Sequence, residues 1–288
     1  MKAEDMERIH FFKMTGSGND FILVDNRDQK LNAAKSRDLI RLACRRKLSV
    51  GADGFIFIEN DPEVDFRWQF FNSDGSEAEM CGNGARCAAR FAFLQGIVNK
   101  RQIAFRTLAG VIEAEITGDR VKIRVSPPHG LQMNFPVEVN GNVFDLYSVN
   151  TGVPHVVHFL KSEKELEEVD VLRWGSAFRY HQRFQPAGTN ANFAVVQDTH
   201  RMAVRTYERG VEAETLACGT GSVASALLAA ASREVRSPVE VKTRSGEILT
   251  IYFDQVIRDD TVEFTDVFLA GDAKVVYEAD LWDETLIN

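Results

Sequence analysis

The sequence predicts an α/β (α+β) protein of two pseudo-symmetric halves, each a mixed sheet curled around one central helix. Three observations carry this expectation. Short runs rich in β-branched and aromatic residues, bounded by Gly, Asn or Asp, recur along most of the chain and read as strands. Two helices lack an ordinary polar face: Ala85–Leu94 is interrupted only by Arg86 and Arg90, and Thr220–Ser232, TGSVASALLAAAS, carries no charge at all. A helix of that kind must be covered all round, and in a strand-rich chain the cover is a curling sheet. Finally, EAEMCGNGARCAA and EAETLACGTGSVASA align at Cys81 and Cys218, each with Cys-Gly-x-Gly leading into a small-residue helix. The same offset sets Arg209 opposite Asn72, and GSGNDF, with Asn19, is echoed by GTNANF, with Asn190. The matching elements keep their order in both halves.

Taken in order, the strands expected are Ile9–Met14, Phe21–Asp25, Phe55–Glu59, Phe66–Asn72, Val111–Thr117, Val121–Ser126, Val143–Val149, Phe193–Gln197, Met202–Glu208, Val239–Thr243, Leu249–Phe253, Val262–Leu269 and Lys274–Tyr277. Amphipathic spacing adds helices at Ser36–Lys47 and near Ser162–Val169. The turn-forming, Pro-rich stretch Ser126–Pro136 holds the boundary, giving halves at 1–130 and 131–288 with room for the last strand to return to the first. The acidic extension after Tyr277, EADLWDETLIN, reads as either a solvated tail or a packing strand.

Composition bounds the function. At 288 residues the chain exceeds the usual size of one core, and 44% hydrophobic with 26% charged residues is globular. Lys and Arg number 34 against 42 Asp and Glu, a net charge of −8, which argues against a nucleic-acid or anionic-membrane surface. The N-terminal MKAEDMERIHFF has no long apolar run and no segment approaches a membrane span, so a cytoplasmic protein is expected. Four cysteines are too few for a disulfide scaffold at this length, and a reducing compartment keeps them as thiols. Cys81 and Cys87 are not spaced for zinc and Cys218 has no nearby Cys or His, so no metal site is expected. Cys44 and Cys87 fall on helices and read as core residues.

The two remaining cysteines each precede a helix, with glycines that allow a ligand to approach the backbone. Free N–H groups and the positive dipole end bind anions there and favour thiolate. Alone, such a cysteine reads as a small buried hydrophobe; a matched pair reads as chemistry. If the halves face each other, both helix ends converge on one carboxylate whose α-carbon lies between the sulfurs. One thiolate then removes the α-proton, the opposite thiol returns a proton to the other face, and the helix ends hold the charge that develops. The scheme needs no metal or pyridoxal cofactor.

FFKMTGSGNDF, GADGFIFIE, FFNSDGSEAEMCGNGARCAARF, NTGVPHVV, GTNANFAVV, RTYERGVEAET and ACGTGSVASA, in this order, resemble the diaminopimelate epimerase family. The resemblance implies two pseudo-symmetric domains, each a β-barrel-like sheet around a central helix. It implies cofactor-independent interconversion of LL- and meso-2,6-diaminoheptanedioate, for lysine and peptidoglycan precursors, by a homodimer. Position by position, Cys81 resembles the proton donor and Cys218 the acceptor for the LL substrate, the roles swapping in reverse. Gly82, Asn83, Gly219 and Thr220 match the loops that hold the reacting amino-carboxylate. Asn19, Asn72, Asn190 and Arg209 match substrate-recognising positions. Glu208 matches a residue that both contacts substrate and tunes the cysteines, and His155 one that adjusts thiol pKa.

There is one departure. The family often has Asn before its Pro-His pair, where this chain has Val153, and Val cannot donate to a distal carboxylate. The expectation is weaker discrimination at that end. The nearest rival is a proline racemase or hydroxyproline epimerase, whose CGHG puts His where this chain has Asn83. A Cys-His thiol hydrolase leaves one cysteine unexplained, and a non-catalytic amino-acid-binding protein leaves the pair without a purpose. No GxxxxGK[ST] or GxGxxG supports nucleotide binding.

Overall fold

GFIFIE, at Gly54–Glu59, is buried at every position, which a strand achieves only when both of its faces are covered. The computed structural model describes residues 8–32, 36–258, 261–282 and 284, and it covers the sheet in this way in each of two compact units. One unit is the chain up to Ile123 together with the segment from Gly271 onward; the other is Arg124–Ala270. The first contains β1 (Ile9–Gly16), β2 (Asn19–Asp25), β3 (Gly54–Glu59), β4 (Phe66–Asn72), β5 (Gln102–Thr107), β6 (Gly110–Thr117) and β7 (Arg120–Arg124). The second contains β8 (His129–Val139), β9 (Asn142–Asn150), β10 (Pro154–Phe159), β11 (Asn190–Asp198), β12 (Arg201–Glu208), the short β13 (Ala213–Thr215), β14 (Val239–Lys242), β15 (Ile248–Arg258) and most of β16 (Thr261–Asp272). The final strand, β17 (Lys274–Leu281), belongs to the first unit.

The internal repeat is a repeat of topology. In the first unit the strands run β17-β1-β2-β3-β4-β5-β6-β7, and their successive pairings are antiparallel, antiparallel, parallel, antiparallel, parallel, antiparallel, antiparallel. In the second unit β8-β9-β10-β11-β12-β14-β15-β16 pair in the same succession of directions. Each unit spends its second parallel crossover on a thirteen-residue helix: α2 (Gly82–Leu94) between β4 and β5, and α5 (Gly219–Ala231) between β12 and β14.

These are the central helices. The uncharged α5 packs against β9, β10, β11, β12, β14 and β15, and α2 against β1, β2, β3 and β6. The outer faces carry the remaining helices. In the first unit α1 (Arg37–Ala43) lays Ile40 and Ala43 over Phe11, Ile22, Phe55 and Phe57. In the second, α3 (Glu163–Glu168) and α4 (Val171–Tyr180) lay Leu166, Val171 and Phe178 over Val156, Phe193 and Tyr207. Each such side chain taken from water contributes about 1.5–3 kcal/mol.

Four strands and a helix escape the sequence reading. β8 runs through the Pro-rich stretch read as a boundary: it pairs with β9 alone and its register shifts twice, so Pro136 removes no central ladder bond. β5, β10 and β13 are short, and β10 starts at a proline. α4 hides behind Gly175, a residue that argues against a helix. A Cβ there would stand 2.3 Å from Cβ of Tyr207, so the glycine is what lets α4 lie on β12. The extension after Tyr277 is a packing strand as far as Leu281, which pairs with Ile9 and is buried. The rest of that extension, residues 283 and 285–288, and the first seven residues lie outside the described part. No helix among the described residues is long and apolar enough to cross a membrane.

Candidate active site

Cys81 and Cys218 occupy the same place in the two units. Each is the N-cap of the central helix, in extended backbone with φ/ψ of −144°/119° and −118°/108°. Sγ of Cys81 accepts from the Gly84 amide at 3.5 Å, while Sγ of Cys218 lies 3.6 Å from Oγ1 of Thr220. Neither helix has an acidic residue in its first turn, so no carboxylate of the helix itself opposes the action of the unsatisfied amides and the dipole on the sulfur. All four cysteines are thiols outside any disulfide, with Cys81 half-buried and Cys218 buried. Cys44 differs in kind: burial pushes its thiol up to about 12.

In the first unit the loops gather around Asn83. Its Nδ2 donates to Oδ1 of Asn19 at 2.8 Å, and Asn19 in turn donates to Oδ2 of Asp53 at 3.0 Å. On the other side Arg86, wholly buried, donates to Oδ1 of Asn83 at 3.0 Å and to the Ser17 hydroxyl at 2.7 Å. The result is a chain with fixed polarity, guanidinium to amide to amide to carboxylate, in which each amide has one orientation. Its charged ends, Arg86 and Asp53, were not candidates from the sequence; the signal was a charge on a helix that otherwise has almost none. Asn72 stands apart, exposed at the end of β4 with Nδ2 on Oγ of Ser76 at 3.0 Å.

In the second unit, Asn190 and His155 are paired across the parallel strands β10 and β11. Asn190 donates to the Pro154 carbonyl at 3.0 Å and accepts from the Arg209 amide at 2.8 Å, so it fixes where the Arg209 backbone leaves β12. The Arg209 guanidinium donates to the Ala187 carbonyl at 2.9 Å. Thr220 is braced through its carbonyl, which accepts from the Thr151 hydroxyl at 3.1 Å. Val153 accepts the Thr151 amide at 3.1 Å through its own carbonyl. Burial raises the Glu208 carboxyl above its ordinary range, partly opposed by the Thr215 and Cys218 side chains beside it. Burial and then the Arg209 charge lower the His155 imidazole to about 3, so it is neutral throughout the physiological range.

Beneath the helix start lie two residues that the sequence reading passed over. Asn192 and Thr206 face each other across β11 and β12, and the Thr206 hydroxyl donates to Oδ1 of Asn192 at 2.9 Å. A Cβ on Gly221 would stand 2.3 Å from that Oδ1 and 3.3 Å from Sγ of Cys218. The second glycine of Cys-Gly-x-Gly is therefore a packing requirement: it seats the thiol-bearing turn on the Asn192 amide.

Comparison with known proteins bears on this arrangement. The family model described as diaminopimelate epimerase matches residues 11–128 and 147–265. The chain belongs to the diaminopimelate epimerase family. It is 45% identical to the diaminopimelate epimerase of Aquifex aeolicus, over 96% of this chain and 99% of that one. The enzyme of the same name from a Hydrogenobaculum species is 46% identical, over 92% and 96%. Among solved structures, a PhzF-family phenazine biosynthesis protein of Bacillus anthracis superposes with a TM-score of 0.73 at 16% identity, covering 96% of this chain and 99% of that one. A hydroxyproline epimerase from Agrobacterium vitis superposes with 0.68 at 12%, covering 98% and 94%. These two likenesses establish the shared fold.

Proposed function

We propose that the protein is an isomerase that interconverts LL- and meso-2,6-diaminoheptanedioate, with Cys81 and Cys218 as its two proton-transfer groups. The carrying observation is the matched placement of both thiols as N-caps of the central helices, in a chain whose relatives are named for this reaction. The thiolate of one residue takes the α-proton, breaking the C–H bond, and the thiol of the other gives a proton to the opposite face. The electron pair left by the first step resides on the α-carbon and its carboxylate, where helix N-termini favour negative charge. Gly82 and Asn83, with Gly219 and Thr220, hold the reacting amino-carboxylate. Asn19, Asn72, Asn190 and Arg209 recognise the substrate, Arg209 by a forked contact with the distal carboxylate. Glu208 and His155 set the protonation balance of the thiols.

The same reading makes the protein a cytoplasmic homodimer that works without pyridoxal phosphate and supplies lysine and peptidoglycan precursors. Proton NMR of LL-diaminopimelate in heavy water tests its centre. The wild type is expected to exchange the α-proton and generate the meso form, and Cys81→Ala and Cys218→Ala each to abolish turnover. Turnover persisting in either single variant sinks the two-thiol mechanism. Exchange confined to proline or another amino acid sinks the substrate.

A further inference from the structure

The amide of Asn192 settles a question of proton placement. Its Nδ2 is 2.8 Å from the Val156 carbonyl and 3.2 Å from Nδ1 of His155. A backbone carbonyl only accepts, so the nitrogen must face Val156, and Oδ1 then takes the Thr206 hydroxyl. Both amide hydrogens are spent, one on Val156 and one on His155. Nδ1 of His155 is therefore an acceptor, and the neutral ring carries its proton on Nε2. That Nε2 is buried and has no hydrogen-bond partner among the described residues. A buried orphan donor is costly to leave unmade. Burial, and secondarily the Arg209 charge, keeps the ring from taking a second proton.

We propose that Asn192, held by Thr206, is a positioning residue that locks His155 as the Nε2–H tautomer, so that His155 serves the second thiol site as a neutral hydrogen-bond donor to an anion rather than as a base. The anion is the Cys218 thiolate or the substrate carboxylate. Gly221 places the Cys218 turn directly over the Asn192 amide, so the proton order of the network reaches the helix start without any charged intermediary. This inference rests on the function proposed above only for the identity of the carboxylate.

Long-range proton–nitrogen NMR of the full chain labelled with ¹⁵N-histidine reads the tautomer directly, with His155→Gln giving the assignment. The expected spectrum has Nε2 protonated and Nδ1 bare, unchanged from pH 5 to pH 9. Asn192→Asp replaces the donor facing Nδ1 with an acceptor; the proton is expected to move to Nδ1 and kcat to fall by about tenfold to a hundredfold, the worth of one hydrogen bond to a charged group. Thr206→Val, which leaves the Val156 carbonyl alone to orient the amide, is expected to weaken the lock and mix the tautomers, and Thr206→Ser to restore the single form. This pair tests the lock even if Asn192→Asp does not fold. A shift of the Nε2–H signal when LL-diaminopimelate is added to Cys218→Ala identifies the carboxylate as acceptor. A shift with thiol ionisation that Cys218→Ala abolishes identifies the thiolate. A wild-type ring protonated on Nδ1, a titration of His155 near pH 6–7, a Thr206→Val spectrum unchanged from wild type, or no response to either anion overturns the proposal. Because the tautomer is read without substrate, a wild type that shows it yet leaves diaminopimelate untouched refutes the functional reading and not this one.

Discussion

The pH dependence of stability should carry the signature of His155. In the folded chain its imidazole is lowered by burial, and secondarily by Arg209, from 6.5 to about 3. The unfolded state therefore binds a proton near pH 6.5 that the folded state refuses. The stabilisation is fully present above pH 6.5 and is lost as pH falls, at about 1.4 kcal/mol per pH unit, until the folded group itself titrates. Between pH 7.5 and pH 5 this one residue costs the protein about 2 kcal/mol. Urea unfolding of wild type and His155→Gln at both pH values isolates it, because carboxylates common to the two proteins cancel in the double difference. A difference near zero, with His155→Gln losing as much stability on acidification as wild type, would refute the claim that the ring is buried and neutral.

Other perturbations have equally definite outcomes. Gly221→Ala drives a methyl group against the Asn192 oxygen and should cost about 1–3 kcal/mol by overpacking while lowering kcat, seen as a reduced denaturation midpoint and slower turnover; an unaltered midpoint contradicts the packing. Arg86→Met removes the cation that orients Asn83 and Asn19 and should raise KM and destabilise the chain by about 1.5–3 kcal/mol, with Arg86→Lys failing to restore KM because one ammonium cannot replace the planar fork. Val153→Asn should sharpen discrimination against monocarboxylate amino acids in competition assays; equal rejection by wild type and variant would show that Val153 has no bearing on the distal end.

Much of this was legible because it is written in local patterns. The two Cys-Gly-x-Gly runs mark helix starts by composition alone, and α5 announces its burial by having no charge on any face. What escaped is whatever depends on a partner strand. Asn192 reads as another polar residue in GTNANF until β12 brings Thr206 opposite it and β10 brings the Val156 carbonyl beside it. Arg86 reads as an interruption of an apolar helix; only the folded chain shows that the interruption orients Asn83, and through it Asn19. β8 was hidden because an edge strand tolerates the proline and the register shifts that a central strand forbids. Asn190 shows the reverse: its motif marks it for substrate, and the fold also engages its side chain in aligning Arg209.

The placement of β17 has a consequence for how the chain emerges from the ribosome. β1 needs β17 as its neighbour, yet roughly 150 residues are translated between the end of β7 and the start of β17, on the order of 10–30 s of synthesis. Throughout that interval β1 presents an open edge, the kind of surface on which nascent chains join one another. The whole of Arg124–Ala270 is made in the meantime as one uninterrupted segment, so the half encoded later is the first that can be completed. The first half waits for its closing strand until the second has been made.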